Sequence, residues 1–309
     1  MAKAADGSVP RSATRRFGVR LFFSVRSMDR WVPRPTVETS MTAETPVALI
    51  TGASSGIGLA YADRLARRGH DLVLVARRAE RLRALADRLA ATYSIDVRTV
   101  AADLTQLEDI ASLETLIRSE PRLHTLVNNA GIGRLSPSME TSDADAAFTL
   151  DLNVVAPTRL SRAALPGLLA RNAGAIINIA SVMAVEVLPV TTLYSATKSY
   201  LLVFSRGLQL ETAGTGVRIQ AVLPASTATE FWDSAGVPLS ALDPASIMTP
   251  DQVVDAALAG FDQGETVTFP TVEDDLLWSR YEAARQALFA ATQTGRPARR
   301  YGLPGTDAP

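Results

Sequence analysis

From Pro46 onward, short apolar runs alternate with longer stretches that carry apolar residues at helical spacing. The first run, Val47–Thr51, ends in a glycine-rich turn, and a helical pattern over Ile57–Arg68 follows, with Gly69 as its expected C-terminal cap. Continuous apolar runs are typical of buried parallel strands, and strands that alternate with helices connect by right-handed crossovers. The sequence therefore predicts a single-domain α/β fold, a doubly wound, Rossmann-like parallel sheet with helices on both faces.

The same alternation continues along the chain. Further strands are predicted at Asp71–Ala76, Asp96–Ala101, Thr125–Asn128, Ala175–Ala180, Val217–Leu223 and Thr266–Phe269. Further helices are predicted at Glu80–Thr92, Leu107–Glu120, Asp143–Arg171, Ser195–Thr212, Pro250–Phe261 and Asp274–Thr292. We expect Pro157 and Pro166 to kink or divide the long helix. The last helix is expected to be amphipathic, with one apolar stripe formed by Leu277, Tyr281, Ala284 and Leu288.

Residues 1–44 lack this pattern and are rich in Arg, Ser and Pro. Eight basic and three acidic residues lie within 1–40, whereas the rest of the chain has a net charge of −6. We interpret 1–44 as a flexible extension, or as sequence upstream of a natural start at Met41; an Arg-rich mitochondrial transit peptide is a third interpretation. The Rossmann-like domain is predicted at 45–273, and a C-terminal helix with a mobile tail, mobile from Gly295, at 274–309.

Composition excludes several classes of protein. The chain has no cysteine and only two histidines, which excludes disulfides and thiolate metal sites and argues against any metal site. We expect His70 and His124 to be surface residues without a role. No apolar run approaches the ~20 residues of a membrane span, and the acidic body gives no reason to expect a nucleic-acid partner. A cysteine-free chain is compatible with a reducing compartment, and we expect a cytoplasmic location.

The turn after the first strand reads Gly52-Ala53-Ser54-Ser55-Gly56-Ile57-Gly58. Glycines at such a turn let the backbone approach a pyrophosphate, and the start of the next helix favours an anion. The turn also matches the Gly-x-Ser-x-Gly elbow of serine hydrolases, with Ser54 as nucleophile. That alternative requires a histidine later in the chain, and none follows His124.

The second strand ends in Arg77 and Arg78, without the acidic residue that usually binds the ribose 2′-hydroxyl of NAD. Arginine forms charge-assisted hydrogen bonds with a 2′-phosphate, and Ser54 and Ser55 could add hydroxyl donors. We therefore expect NADP(H) as the preferred cofactor and keep NAD(H) as an alternative. Solvated arginines without a phosphate partner are the simpler alternative.

Tyr194 and Lys198 are four residues apart, so a helix places them on one face. A free tyrosine has a pKa of ~10, and a nearby ammonium group stabilises its phenolate. This spacing alone is common in surface helices. Here Ser181 stands thirteen residues before Tyr194, just after a predicted strand, and Asn153 lies in the long helix.

Together with the glycine-rich turn and the strand end Asn128-Asn129-Ala130-Gly131, these residues resemble the short-chain dehydrogenase/reductase family in its compact, single-domain form, over residues 45–270. The resemblance implies that Tyr194 is the catalytic acid/base and that Lys198 binds the nicotinamide ribose and lowers the tyrosine pKa. It implies that Ser181 binds and orients the substrate oxygen, and that Asn153 holds a water in a proton relay to Lys198.

The resemblance also implies an adenine contact from Asp103, within Ala102-Asp103-Leu104, and further cofactor contacts after the sixth strand. The cofactor-binding residues expected in all are Gly52, Ser54, Ser55, Gly56, Ile57, Gly58, Arg77, Arg78, Asp103, Leu104, Asn129, Ala130, Gly131, Tyr194, Lys198, Pro224, Thr227 and Thr229. One departure is Ala225, where the family usually has glycine after the proline.

The predicted substrate loops are mostly apolar. They comprise 230–249 and the segment before Tyr194, with Met183, Phe231 and Trp232 expected to line a pocket. We expect an uncharged, hydrophobic alcohol or carbonyl as substrate, and NADP(H) favours the direction of reduction. Two other readings stay open: a catalytically silent, cofactor-binding regulator, and an epimerase or dehydratase of the related extended family, which differs in glycine spacing.

The resemblance further implies a homodimer or homotetramer that pairs through the two long helices, 143–171 and 195–212. The second of these helices carries more apolar residues than one buried face requires: Leu201, Leu202, Phe204, Leu208 and Leu210. The C-terminal helix 274–292 could instead cover these surfaces.

Overall fold

The carboxyl ends of seven strands lie along one edge of a single parallel sheet in the computed structural model, which describes residues 44–303. The strands are β1 Val47–Thr51, β2 Asp71–Ala76, β3 Val97–Ala101, β4 Leu123–Asn128, β5 Gly174–Ile179, β6 Val217–Val222 and β7 Val267–Thr268. Their order is β3-β2-β1-β4-β5-β6-β7, and every neighbouring pair is parallel. The predicted single-domain, doubly wound, Rossmann-like fold is confirmed. The interpretations of 1–43, including a start at Met41, lie outside the described residues.

Helices connect the strands. They are α1 Gly56–Arg67, α2 Ala79–Tyr93, α3 Leu107–Ser119, α4 Asp143–Leu150, α5 Ala156–Arg171, α6 Thr192–Glu211, α7 Phe231–Ala235, α8 Pro250–Gln263 and α9 Leu276–Ala291. The start of α8 shows how local sequence fixes a boundary. Thr249 and Gln252 form a capping box, and Pro250 occupies the first turn, where its missing N–H costs no hydrogen bond. Gly69, with φ of +79°, follows α1 as predicted.

Apolar side chains fill both spaces between the sheet and its helices. On one face, α1, α2 and α8 contribute buried residues such as Tyr61, Leu82 and Val254. On the other, α3, α5 and α6 contribute residues such as Ile110 and Leu160. The strands between them are buried on both sides, which explains their continuous apolar sequences.

The long helix predicted at 143–171 is interrupted, but not by its prolines. A π-helical turn over Asp151–Val155 separates α4 from α5. Pro157 lies in the first turn of α5, where proline is tolerated, and Pro166 lies inside α5 without ending it. The interruption is therefore at Asn153 rather than at a proline, and π turns inside helices often mark functional sites.

The C-terminal helix forms close to its predicted position and contacts α6, but it leaves part of the apolar surface of α6 exposed. No residue of α9 is buried, and Leu277, Tyr281 and Leu288 are all exposed. The helix is attached through an ion pair between Arg206 and Glu282 and through the Trp278 ring, which packs on Phe269. The suggestion that this helix covers the surfaces of α5 and α6 therefore holds only in part, because α9 packs on α6 at Arg206 but leaves Val203 and Leu210 exposed. The mobility expected from Gly295 onward stays a prediction.

The histidines also differ from expectation. His124 is exposed, but both ring nitrogens of His70 are buried and have no hydrogen-bond partner. The two rings meet edge to face, with centroids 5.8 Å apart. Burial and the neighbouring His124 lower the pKa of His70 to about 4. The pair lies at the amino ends of β2 and β4, opposite the glycine-rich turn.

Candidate active site

A cleft of about 660 Å³ opens at the carboxyl ends of the strands. Doubly wound sheets bind ligands at this edge, where the strand order reverses, and here the reversal falls between β1 and β4. All but two of the predicted site residues line the cleft. The exceptions, Gly58 and Asn153, lie behind its wall and act through their neighbours.

The glycine-rich turn brings backbone to the floor of the cleft. Gly52 and Gly56 have φ of +67° and +55°, a conformation that favours glycine. A Cβ on Gly58 would lie 2.4 Å from the carbonyl oxygen of Gly52, so a side chain there would push the helix away from the turn. Glycine is therefore required at Gly52 and Gly56 by the backbone conformation and at Gly58 by the close approach of the turn. The backbone N–H groups at the start of α1 face the cleft and have no side-chain cap.

Hydrogen bonds join the ends of β1 and β4 beneath this turn. The Thr51 hydroxyl accepts from the backbone N–H groups of Asn129 and Ala130, both at 3.0 Å. The Asn129 side chain donates in return to the carbonyl oxygens of Thr51 and Gly52, at 2.9 and 3.3 Å. The side chain of Asn129 therefore holds together the ends of β1 and β4, where the strand order reverses. The sequence did not single out Thr51.

One arginine and two serines meet at the end of β2. Arg78 donates to the Ser54 hydroxyl at 2.9 Å and to the Ser55 hydroxyl at 2.8 Å. Arg77 is exposed and lines the cleft beside them. Ser54 is therefore a hydrogen-bond partner of a cation. Since both histidines lie at the opposite edge of the sheet, the serine-hydrolase alternative was wrong.

Two charged residues at this end of the cleft were missed. Arg81 follows Arg78 by one helical turn, and both bind the carboxylate of Glu230, at 2.6 Å each. The helical spacing could have indicated Arg81. Glu230 carries no such signal, because it lies 152 residues from Arg78 in the chain.

The three predicted catalytic side chains converge in the middle of the cleft. Helix α6 begins three residues earlier than predicted, so Tyr194 and Lys198 share one helical face, and the Lys198 Nζ lies 5.7 Å from the tyrosine ring centroid. Ser181 follows β5, and its hydroxyl accepts from the N–H of Met183 at 3.1 Å. The tyrosine hydroxyl meets Ser181 as a hydrogen-bond partner.

Burial dominates the electrostatics of this group. It raises the pKa of Tyr194 to about 12, with the hydrogen bond to Ser181 acting in the opposite direction. Burial also lowers the pKa of Lys198 to about 8. The Lys198 ammonium donates to the carbonyl oxygen of Ile179 at 2.9 Å. The expected lowering of the tyrosine pKa by Lys198 is therefore not what this structure shows: the phenol is held in its neutral form.

Asn153 occupies the π turn behind the catalytic residues. Its side chain accepts from the N–H of Ile132 at 2.9 Å and donates to the Ile132 carbonyl at 2.8 Å. It also donates to the Thr197 hydroxyl at 3.1 Å. These bonds join α6 to the loop after β4. The implied water relay stays a prediction. We refer to the three hydrogen bonds of the Asn153 side chain, which join the π turn to Ile132 and Thr197, as the Asn153 brace.

The segment after β6 reaches back across the cleft. Thr227 pairs with Met248 in a parallel bridge, and the Trp232 indole donates to the Thr227 carbonyl at 2.9 Å. Ala225, in place of the usual glycine, does not have a positive φ, so alanine is compatible with its backbone. The departure from the family pattern at this position therefore leaves the loop intact.

Asp103 lies at the far end of the cleft, after β3. Its carboxylate accepts from the backbone and hydroxyl of Thr105, at 3.1 and 2.9 Å. Leu104 is buried, so it lines this end of the cleft from within the core. Both residues line the cleft, and the implied adenine contact of Asp103 stays a prediction.

The catalytic end of the cleft is lined by apolar side chains. They are Ile132, Leu135, Phe148, Leu152, Met183, Leu188, Val190, Phe231, Trp232, Val237 and Leu242. Phe231 lies against the Tyr194 ring, with centroids 5.5 Å apart. The charged lining residues lie at the other end, apart from Lys198. The cleft therefore joins a polar half to an apolar half, with Tyr194 at the boundary.

These features fit a pyridine dinucleotide. The backbone N–H groups at the start of α1 have no side-chain cap, and Arg78 with two serine hydroxyls supplies donors for a phosphate. A Cβ on Gly131 would lie 3.4 Å from the Lys198 ammonium, so glycine keeps the approach to that group open. Within 44–303, no cluster of three or more His, Asp or Glu residues is arranged to hold a metal ion. No helix in that range is long and apolar enough to span a membrane.

Comparison with known proteins agrees with this geometry. The family model for short chain dehydrogenases matches residues 46–237, more than half of the sequence. The chain therefore belongs to the short-chain dehydrogenase family.

Three relatives bear on the site. A short-chain dehydrogenase from Sphingobium yanoikuyae, solved with NADPH, has a TM-score of 0.80 and 42% identity, over 83% of this chain and 100% of that one. The bulky-bulky ketone specific alcohol dehydrogenase from Comamonas testosteroni has a TM-score of 0.76 and 39% identity, over 84% and 99% of the two chains. A very-long-chain 3-oxoacyl-CoA reductase from Anas platyrhynchos is 36% identical over 193 residues, which are 60% of each chain. The match thus spans less than two thirds of that reductase.

Proposed function

We propose that this protein is an NADP(H)-dependent oxidoreductase that interconverts a bulky, uncharged ketone and its alcohol, with Tyr194 as acid/base. The observation that carries the proposal is the convergence of Tyr194, Ser181 and Lys198 between an apolar half-cleft and a half-cleft with phosphate donors. A catalytically silent regulator would not need this convergence. An epimerase or dehydratase of the extended family is less favoured, because the glycine spacing is that of the compact form.

The chain's own residues account for the movement of the proton. When bound, the nicotinamide supplies a hydride to the carbonyl carbon. Tyr194 then donates its proton to the carbonyl oxygen, which would otherwise become an alkoxide. A phenol with a pKa of about 12 is protonated at neutral pH, which suits it to the role of acid when a ketone is reduced. The Ser181 hydroxyl donates a hydrogen bond to the same oxygen and orients it.

Lys198 is assigned to binding and to charge balance. Its ammonium is buried beside Gly131 and has one partner from the chain within this site, the Ile179 carbonyl. An ammonium has three donors, so two are available for ribose hydroxyls. After the proton has left Tyr194, the nearby positive charge stabilises the phenolate.

The preference for NADP(H) rests on Arg78 with its two serines and on the absence of an acid at the end of β2. The Sphingobium yanoikuyae relative, which was solved with NADPH, supports it. Use of NAD(H) as a weaker cofactor is part of the proposal.

The substrate class follows from the lining of the catalytic half. Its apolar side chains would bury the two substituents of a ketone, and no lysine or arginine of the described lining lies among them except Lys198. The Comamonas testosteroni relative, named for bulky-bulky ketones, supports the same class. Very-long-chain 3-oxoacyl-CoA, named for the Anas platyrhynchos relative, is the second substrate to test.

Assembly as a homodimer or homotetramer, and a cytoplasmic location, belong to the same proposal. Leu201, Leu202 and Leu208 are core residues, so they do not support an interface. Val203 and Leu210 are 64% and 81% exposed, seven residues apart on α6. Two exposed apolar residues on one helical face support pairing through that face.

The proposal is tested by measuring initial rates with NADPH and with NADH on ketones of increasing size, on the corresponding alcohols and on a 3-oxoacyl-CoA. We expect turnover of ketones with two bulky substituents and a higher kcat/KM with NADPH. Turnover of the 3-oxoacyl-CoA and of none of the ketones would show that the substrate is a 3-oxoacyl-CoA and not a bulky, uncharged ketone. Binding of NADPH without turnover of any substrate would favour the silent regulator.

A further inference from the structure

Three consecutive residues, Thr229, Glu230 and Phe231, cross the cleft; we refer to them as the crossing segment. Thr229 lies over the glycine turn, where a Cβ on Gly56 would be 2.9 Å from its methyl group. Phe231 lies over Gly133, where a Cβ would be 2.2 Å from its ring. The segment therefore closes on the cleft from the phosphate half to the catalytic half.

Glu230 holds this segment by two ion pairs. One carboxylate oxygen binds Arg78 and the other binds Arg81, each at 2.6 Å. The other two nitrogens of the Arg78 guanidinium, Nε and Nη2, donate to Ser54 and Ser55. Hydrogen bonds from Arg81 and Arg78 lower the pKa of Glu230 to about 2, so the carboxylate is charged at any physiological pH.

The position of this carboxylate conflicts with the ligand that the arginines favour. A 2′-phosphate would bind the same guanidinium groups by charge-assisted hydrogen bonds. Two anions on one pair of arginines repel each other, and the phosphate has the greater charge and more acceptor oxygens. Glu230 lies in an irregular loop and its side chain is 45% exposed, so it can move away at modest cost.

We propose that Glu230 is a specificity-determining residue whose carboxylate occupies Arg78 and Arg81 in place of the adenosine 2′-phosphate and is displaced by it. The inference rests on the proposed preference for NADP(H). A ligand without the 2′-phosphate leaves both ion pairs intact, so its binding does not depend on the charge of Glu230. A ligand with the 2′-phosphate replaces the Glu230 carboxylate at Arg78 and Arg81 by its own phosphate. Glu230 thus lowers the affinity for a ligand with the 2′-phosphate, which has to displace it, and so limits the preference for NADP(H) over NAD(H).

The test uses two fragments that differ only in the 2′-phosphate, adenosine 2′,5′-bisphosphate and 5′-AMP. Their affinities are measured by calorimetry for the parent protein, for Glu230→Gln and for Asp262→Asn. Glutamine has the same shape without the charge. Asp262 binds Arg68 through both carboxylate oxygens, at 2.9 and 2.8 Å, near the far end of α1, so its variant controls for net charge.

We expect Glu230→Gln to bind the bisphosphate roughly three- to tenfold more tightly, the range that two half-exposed ion pairs can supply. Binding of 5′-AMP should change less than about twofold in that variant, and Asp262→Asn should match the parent protein with both fragments.

Two results overturn the proposal separately. Weaker or unchanged bisphosphate binding by Glu230→Gln, in a parent protein that prefers the bisphosphate, would show that Glu230 supports the arginines or is irrelevant. The preference for NADP(H) would then stand. A parent protein and a Glu230→Gln variant that both bind the two fragments equally would overturn the cofactor assignment, and the inference with it.

Discussion

Asn153 and Ile132 are joined by two hydrogen bonds, in which one side chain both accepts from and donates to the backbone of a single residue, at 2.9 and 2.8 Å. The pair links the π turn of the long helix to the loop that follows β4. Since Ile132 directly follows Gly131, the position of the cleft wall beside Lys198 depends on this brace.

Replacing Asn153 with alanine should therefore reduce stability as well as activity. The change leaves the Ile132 N–H and carbonyl without these partners, and each buried polar group without a partner costs about 1–3 kcal/mol. We expect the free energy of unfolding, measured with urea, to fall by roughly 2 kcal/mol or more. Thr197→Val keeps both bonds between Asn153 and Ile132 and removes two hydrogen bonds of the Thr197 hydroxyl, from Asn153 and to the Tyr194 carbonyl, so it should cost less than the loss of all three bonds of Asn153. Equal stability of Asn153→Ala and the parent protein would contradict the role as a brace.

Arg78 and Arg77 should differ in their contribution to cofactor binding. Arg78 is held by Ser54 and Ser55 with its guanidinium facing the cleft, whereas Arg77 is exposed beside it. We expect Arg78→Leu to weaken NADPH binding by about tenfold or more and NADH binding much less, because the lost partner serves the 2′-phosphate. Arg77→Leu should have the smaller effect. Calorimetry with both cofactors measures this, and equal losses for NADPH and NADH would count against the assignment.

Stability should decrease in mild acid because of His70. The pKa of His70 is lowered to about 4 in the folded protein by burial, by His124 and by Arg68, whereas an unfolded histidine titrates near ~6.5. Between these values the unfolded chain binds a proton that the folded protein does not, so the free energy of unfolding falls as the pH drops through this window. It is unaffected by this group above about pH 7.

The size of the effect can be isolated by His70→Leu. After allowance for the partly exposed ring, we expect His70 to account for roughly 1–2 kcal/mol of the loss between pH 7 and pH 5. The variant should lose less stability than the parent over that interval in urea titrations. A parallel pH dependence in the two proteins would show that His70 does not titrate in this way.

Assembly can be tested on the exposed face of α6. Val203 is 64% exposed, and a glutamate there would place a charge in the proposed interface. We expect the parent protein to be a dimer or tetramer by light scattering at micromolar concentration, and Val203→Glu to dissociate. Met139 is fully exposed in a loop outside the long helices, so Met139→Glu is a matched control that should stay associated. A monomeric parent protein would exclude the assembly.

The sequence predicted those parts of the site that depend on local order. A buried strand, a glycine turn and a helix follow one another directly, so the phosphate-facing turn could be placed from residues 47–68 alone. Tyr194 and Lys198 share a face because helical geometry requires it. Ser181 and Asn129 could be placed because they follow strands of one parallel sheet, whose carboxyl ends meet at one edge.

Features that depend on contacts between distant segments could not be predicted in this way. The pairing of Glu230 with Arg78 joins the loop after β6 to the end of β2, and no spacing encodes it. The π turn at Asn153 lies where the long helix meets the loop after β4. From the sequence, Pro166 indicated an interruption of this helix at a position where the structure has none. The raised pKa of Tyr194 follows from burial, which a sequence does not give.

The central claim is that Tyr194 transfers the proton to the substrate oxygen. Tyr194→Phe removes one oxygen and keeps the ring that packs on Phe231, so fold and cofactor binding should be nearly unchanged. Proton transfer by a positioned side chain contributes about 10²–10⁴-fold to turnover.

The direct measurement is kcat of Tyr194→Phe on an accepted ketone under conditions where chemistry limits the rate, with NADPH affinity measured separately by calorimetry. The account predicts a loss of at least about 100-fold in kcat with NADPH affinity within about twofold of the parent protein. Retention of more than about a tenth of the parental kcat would contradict it, since a typical acid/base contributes far more than that.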